Sequence, residues 1–169
     1  MYALIERTTF RSAPDREIFL GSETDFDATV AKAIAAVEKH TAEWEEDVRT
    51  IGHSEATDIA VEIISTGTRL RLSRNALGIE CEFLDRAWKD EAYQLATAIY
   101  KYRHGGAPEL FGSGLGQRVF DTRKVGNRTD ATLVVARHPK AAAYLIESNA
   151  DGSIVSVKEN DWMLADLPA

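Results

Sequence analysis

The stretch Ile59-Ala60-Val61-Glu62-Ile63-Ile64-Ser65-Thr66-Gly67-Thr68-Arg69-Leu70-Arg71-Leu72-Ser73-Arg74-Asn75-Ala76-Leu77-Gly78-Ile79-Glu80-Cys81-Glu82-Phe83 decides the fold class. Ile59, Val61 and Ile63 alternate with Ala60, Glu62 and Ile64. After Thr66-Gly67, Leu70 and Leu72 alternate with Arg69, Arg71 and Ser73. After Asn75-Ala76-Leu77-Gly78, Ile79, Cys81 and Phe83 alternate with Glu80 and Glu82. Alternation with period two, interrupted by glycine-bearing turns, predicts a three-stranded antiparallel meander with one wet face. On that face Arg69 and Arg71 are expected to pair with Glu80 and Glu82 across the strands.

Working outward, two helices flank this meander. Upstream, Val30, Ile34, Val37, Thr41, Trp44 and Val48 recur at spacings of three and four, as on one stripe of a helix. That helix is expected to begin near Thr24 or Asp25, to break near His40-Thr41 and to end by Gly52. Downstream, Trp88, Ala92, Leu95, Ile99 and Tyr102 mark a second stripe over about 86–103, with Asp85 as N-cap. Gly105-Gly106 would end it, and His104 would sit in its last turn as a cation facing the helix dipole.

Further out, residues 2–10 and 16–21 read as strands joined by Ser12-Ala13-Pro14-Asp15, a turn. Beyond the second helix, 105–117 reads as a glycine-rich loop, Val119-Phe120 as a short strand and Gly126-Asn127-Arg128 as a turn. Residues 131–137 read as a strand, and 142–147 with 153–158 as a hairpin across Asn149-Ala150-Asp151-Gly152. The tail would dock Trp162 and Leu164. The predicted architecture is α+β: a single domain over 1–169 with a mainly antiparallel sheet flanked by two helices, and 118–169 as a C-terminal β subregion.

Composition narrows the class. One cysteine, Cys81, rules out an internal disulfide framework and any multi-cysteine metal site. No run approaches the ~18 apolar residues of a membrane span, and the N-terminus lacks the pattern of a secretory leader. These features predict a soluble cytoplasmic chain. The net charge is −7, which argues against nucleic acid as a partner. The charge is uneven, however. Residues 1–100 carry 11 basic and 19 acidic residues, whereas 101–140 carry eight basic and three acidic ones, with His104 and His138 in the same window.

Catalytic motifs fail one by one. Phe111-Gly112-Ser113-Gly114-Leu115-Gly116-Gln117-Arg118 lacks the third glycine and the strand–helix context of a dinucleotide fingerprint. It also lacks the Gly-Lys-Ser/Thr ending of a phosphate loop. The glycines of a nucleophile elbow would have to stand at Phe111 and Leu115. His53-Ser54-Glu55 resembles half of a deaminase zinc motif whose cysteine half cannot exist here. The four histidines show no ligand spacing, so no metal and no cofactor is expected. Cys81, between two glutamates, reads as a small core residue.

Two candidate surfaces remain. The first is basic. Arg118, Arg123, Lys124 and Arg128, with Asn127 and the amides of Gly114 and Gly116, have the chemistry to hold a small anionic ligand. A nucleotide or signalling nucleotide would fit, and an enzyme acting on it would draw its base from Asp121, Asp130, His104 or His138. The second is acidic. Glu43-Trp44-Glu45-Glu46-Asp47 offers a face to a basic partner or, at higher charge density, a mimic of nucleic-acid phosphates. With no catalytic signature left standing, the leading expectation is a non-catalytic small binding protein. It would dock to another protein, as an inhibitor, immunity or adaptor protein does, or to a second copy of itself as a homo-oligomer. The phosphorylated-ligand binder is the alternative.

Overall fold

A computed structural model describes residues 1–136 and 140–166. The chain runs β1 (Tyr2–Phe10), β2 (Arg16–Glu23), α1 (Phe26–Ile51), β3 (Ala56–Ser65), β4 (Thr68–Asn75), β5 (Gly78–Phe83), α2 (Lys89–His104), β6 (Asp121–Lys124), β7 (Ala131–Ala136), β8 (Ala142–Ser148) and β9 (Ile154–Glu159). All nine strands join one sheet in the order β2-β1-β3-β4-β5-β9-β8-β7-β6, and every described pairing is antiparallel. The fold is α+β, as the sequence predicts.

The topology explains how short turns build so wide a sheet. From β5, at the centre, α2 and the glycine-rich loop carry the chain to the far edge. Three antiparallel strands then step back until β9 closes against β5. That closure is brief: Glu80 faces Lys158, Cys81 faces Val157 and Glu82 faces Ser156. The predicted C-terminal β subregion is thus continuous with the meander through this seam.

Alternation sends Leu4, Val61, Ile63, Leu70, Leu72, Ile79, Cys81, Val157, Ile146 and Tyr144 to the face covered by the helices. There they meet Val30, Ala33, Ile34 and Val37 of α1 and Ala92, Leu95, Ala96 and Ile99 of α2. The opposite face carries a ladder of ion pairs. Glu17, Arg7, Glu62 and Arg69 link β2 through β4, while Glu80, Lys158, Glu147, Arg128 and Asp130 continue beyond β5. At the β7–β8 end the same face is apolar. Leu133, Val135 and Ala143 are capped there by Met163 and Leu164 of a C-terminal 3-10 segment, Asp161–Asp166.

Several expectations need correction. α1 is continuous through His40-Thr41, and Asp25, whose carboxylate accepts from the Ala28 amide at 2.8 Å, is its N-cap. α2 begins three residues later than expected, at Lys89. Glu91 accepts from the Trp88 amide at 3.0 Å, so Trp88 is an N-cap residue outside the helical stripe and half exposed. Val119-Phe120 precedes a strand instead of forming one, and Phe120 packs edge-on to Tyr144. Arg69 and Arg71 pair with Glu62 and Asp58 of β3; the register sets Glu80 opposite Ser73, away from Arg69, and Glu80 is met instead by Lys158 of β9. Leu164 docks, whereas Trp162 remains 78% exposed. The strand expected over 131–137 ends at Ala136. Arg137 and His138 lie outside the described residues.

Candidate functional site: an acidic groove under the end of α1

The predicted basic site is only partly assembled. Arg123, Lys124, Asn127 and Arg128 border one depression of about 520 Å³ at the β6–β7 turn. Arg118, Gly114 and Gly116 are not part of its lining. Gly114–Gly116 form a single 3-10 turn on an exposed excursion closed by the Phe111–Arg118 bridge. Carboxylates also answer the three arginines. Asp121 accepts from Arg118 at 3.2 Å and lies 2.7 Å from Arg123 Nη2 in an ion pair. Arg128 holds Asp130 at 3.0 Å and Glu147 at 3.1 Å. Asp121 and Asp130 belong to the 101–140 window itself, whereas Glu147 reaches Arg128 from β8, Asp27 of α1 reaches Lys101, and Glu38 of α1 with Glu159 of β9 reaches Arg103. Asp130 is held below the usual carboxylate range by Arg128, which makes it a poor general base. His104 packs against Tyr100 at 4.3 Å between centroids with the rings tilted by 48°, and burial, with Lys140 nearby, lowers its pKa from 6.5, which weakens it as the expected helix-end cation.

The acidic surface gains shape. α1 has 26 residues, about 39 Å at the ordinary helical rise, but its buried residues stop at Val37. The last turns project beyond the sheet. Trp44 (38% exposed), Val48 and Ile51 (65%) continue the apolar stripe into open space among Glu43, Glu45, Glu46 and Asp47. The stripe expected through Trp44 and Val48 is present, and these two side chains lie at the rim of the fold, because the helix outruns the strands it covers. Two contacts tie the overhang to the sheet: Trp44 Nε1 donates to the Ala56 carbonyl at 3.0 Å, and Glu45 lies 3.9 Å from Arg74 of β4.

Between the overhang and the ends of β1, β2 and β3 lies a groove of about 340 Å³. Its lining includes four carboxylates (Glu6, Glu43, Asp47 and Glu55) against one arginine, Arg16, with His40 and His53 beside them. Trp44, Phe10 and Ile51 supply its apolar wall. Glu6 is the unusual member. It follows Leu4 on the helix-covered face of β1, and its side chain is 2% exposed. Its Oε2 lies 2.5 Å from His40 Nδ1, yet neither atom makes a directed hydrogen bond. Oε1 is 3.9 Å from Arg16 Nη2, beyond hydrogen-bond reach.

Glu6, His40 and Arg16 are not among the candidate site residues that motif and spacing point to. The signal was present in the alternation Leu4-Glu6-Thr8, which sets a carboxylate among residues facing inward. A scan against known protein families finds no match for the chain, and neither curated proteins nor solved structures yield a significant one.

Proposed function

We propose that this chain is a non-catalytic docking protein that binds a basic protein partner through the overhanging end of α1 and the groove beneath it. One observation carries this reading: an apolar stripe, Trp44, Val48 and Ile51, leaves the core and is presented to solvent among Glu43, Asp47 and the arginine-paired Glu45 and Glu46. An aromatic and aliphatic centre with a charged rim is the anatomy of a protein interface. The negative rim selects for positive partners and accelerates encounter with them. The free, fully buried Cys81 is compatible with a reducing compartment such as the cytoplasm.

The experiment uses two synthetic peptides of equal length, one alternating Lys or Arg with Leu, the other carrying Glu at the basic positions. In a nitrogen-15 titration the basic peptide should shift amides along 43–51 and at the end of β1. The acidic peptide should shift none of them, and Ile51→Ser should weaken the response severalfold. Shifts scattered over the whole surface, or none, would overturn the reading.

A small phosphorylated ligand in the β6–β7 depression is the second reading, favoured by the convergence of Arg123, Lys124, Asn127 and Arg128. It is ranked second because Asp121, Asp130 and Glu147 already occupy the arginines. A thermal-shift series with nucleotides, repeated on Arg128→Ala, tests it.

A further inference from the structure

The geometry at Glu6 points to a specific anchor: we propose that the groove receives one guanidinium or ammonium side chain of the partner, which pairs with the Glu6 carboxylate in place of Arg16. This inference rests on the docking reading and names the group that the partner must bring.

Three observations converge. First, Glu6 is a buried carboxylate without a directed hydrogen bond. Buried ionised groups are ordinarily enclosed by several good donors, and one left short of them retains capacity for another. Second, the cation nearest Oε1 is held loosely. Arg16 stands 3.9 Å away, its side chain is 55% exposed, and it comes from the edge strand β2. Its guanidinium lies 5.4 Å from the centroid of the Phe10 ring, which shows that a flat cation fits at the groove mouth. Third, the remaining charge of the groove has the same sign. Glu43, Asp47 and Glu55 surround the entrance, so a cation approaching Glu6 is favoured along its whole path. Arg16 thus acts as an internal occupant that a partner's lysine or arginine displaces. The displaced guanidinium swings toward solvent, as an exposed edge-strand side chain can. No bond is made or broken in the exchange.

The test uses N-acetyl-arginine amide, N-acetyl-lysine amide and the uncharged isostere N-acetyl-citrulline amide, titrated into the full-length nitrogen-15-labelled chain. The two cations should shift Glu6, Thr8, His40 and the Trp44 indole, with citrulline at least tenfold weaker. Arg16→Ala should tighten arginine binding severalfold by removing the competitor. Glu6→Gln should abolish binding while leaving the remaining spectrum in place. Equal response to citrulline, or no gain in Arg16→Ala, overturns the proposal even if Glu6→Gln does not fold.

The two readings fail separately. If Glu6→Gln binds the basic peptide as tightly as the parent chain, the anchor is wrong and docking stands. If the parent chain ignores the peptide but takes N-acetyl-arginine amide at Glu6, docking is wrong and the pocket stands.

Discussion

Gly78 lies directly against Glu159: a Cβ on Gly78 would sit 2.8 Å from Oε1 and 3.0 Å from the Cβ of that glutamate, with the glycine at φ +141°. The approach places Oε1 where it accepts from the Ile79 amide at 2.8 Å and from Arg103 Nη2 at 2.7 Å. Oε2 takes Arg103 Nε at 3.0 Å. Arg103 also reaches Glu38 at 2.5 Å, so one guanidinium joins α1, α2 and β9. Gly78→Ala must then adopt a strained backbone and push against a carboxylate that has no slack. The expected loss is about 2 kcal/mol or more, read as a lower urea midpoint. Glu159→Gln should cost about 3 kcal/mol, since it leaves a partly buried arginine short of its main partner. A Gly78→Ala variant as stable as the parent would show that this contact is not tight in solution.

The same seam contains Cys81, fully buried between β4 and β9. Burial raises its thiol pKa far above the ordinary value, with Glu159 and Glu80 adding to the effect. The thiolate population at pH 8 is therefore negligible. A thiol-reactive chromogenic disulfide should label none of it in the folded chain and all of it in 6 M guanidinium chloride. Rapid labelling under native conditions would mean that the β5–β9 seam opens.

The meander was legible because each of its strands obeys one local rule, alternation, with turn residues between. The seam was not. Nothing in Glu80 or Lys158 announces that strands nearly eighty residues apart lie side by side, and the partners of Arg69 and Arg71 depend on a register that sets Glu80 opposite Ser73. The basic cluster misled for a related reason. Arg118, Arg123 and Arg128 are prominent in sequence, but Asp121 serves two of them at once and Glu147 reaches Arg128 from β8. Glu6 was legible in principle as a carboxylate on an inward-facing register. Its weight emerges only when His40, Arg16 and the overhang of α1 are seen around it.

The ion-pair ladder of the uncovered face predicts an acid limit. A hydrogen bond from Lys158, with a further one from Arg128, holds Glu147 below its ordinary value of 4.5 in the folded chain. A depressed folded pKa gives stability that is present above the unfolded value and is lost as pH falls through the folded one. Urea midpoints should accordingly hold steady from pH 7 to about 5 and drop below about 4.5. Glu147→Gln should lower the midpoint at pH 7 and flatten the drop. An unchanged acid limb in that variant would assign the loss to other carboxylates.

The overhang of α1 makes its own prediction, because its hydrogen-bonded tether is the bond from Trp44 Nε1 to the Ala56 carbonyl, beside a loose, exposed ion pair of Glu45 with Arg74. Trp44→Phe removes the donor and keeps most of the ring. A single neutral hydrogen bond contributes about 1 kcal/mol, or roughly a fivefold change in a local opening equilibrium. Amides over 41–51 should then exchange about fivefold faster, while those of Ala33, Ile34 and Val37, in the core, keep their protection. Ile51→Ser, at a side chain 65% exposed, should alter global stability by no more than about 0.5 kcal/mol. A residue that contributes so little to the fold and yet presents that much apolar surface supports the proposed docking face. If Ile51→Ser unfolds the protein, the stripe belongs to the core, and the surface assigned to a partner does not exist.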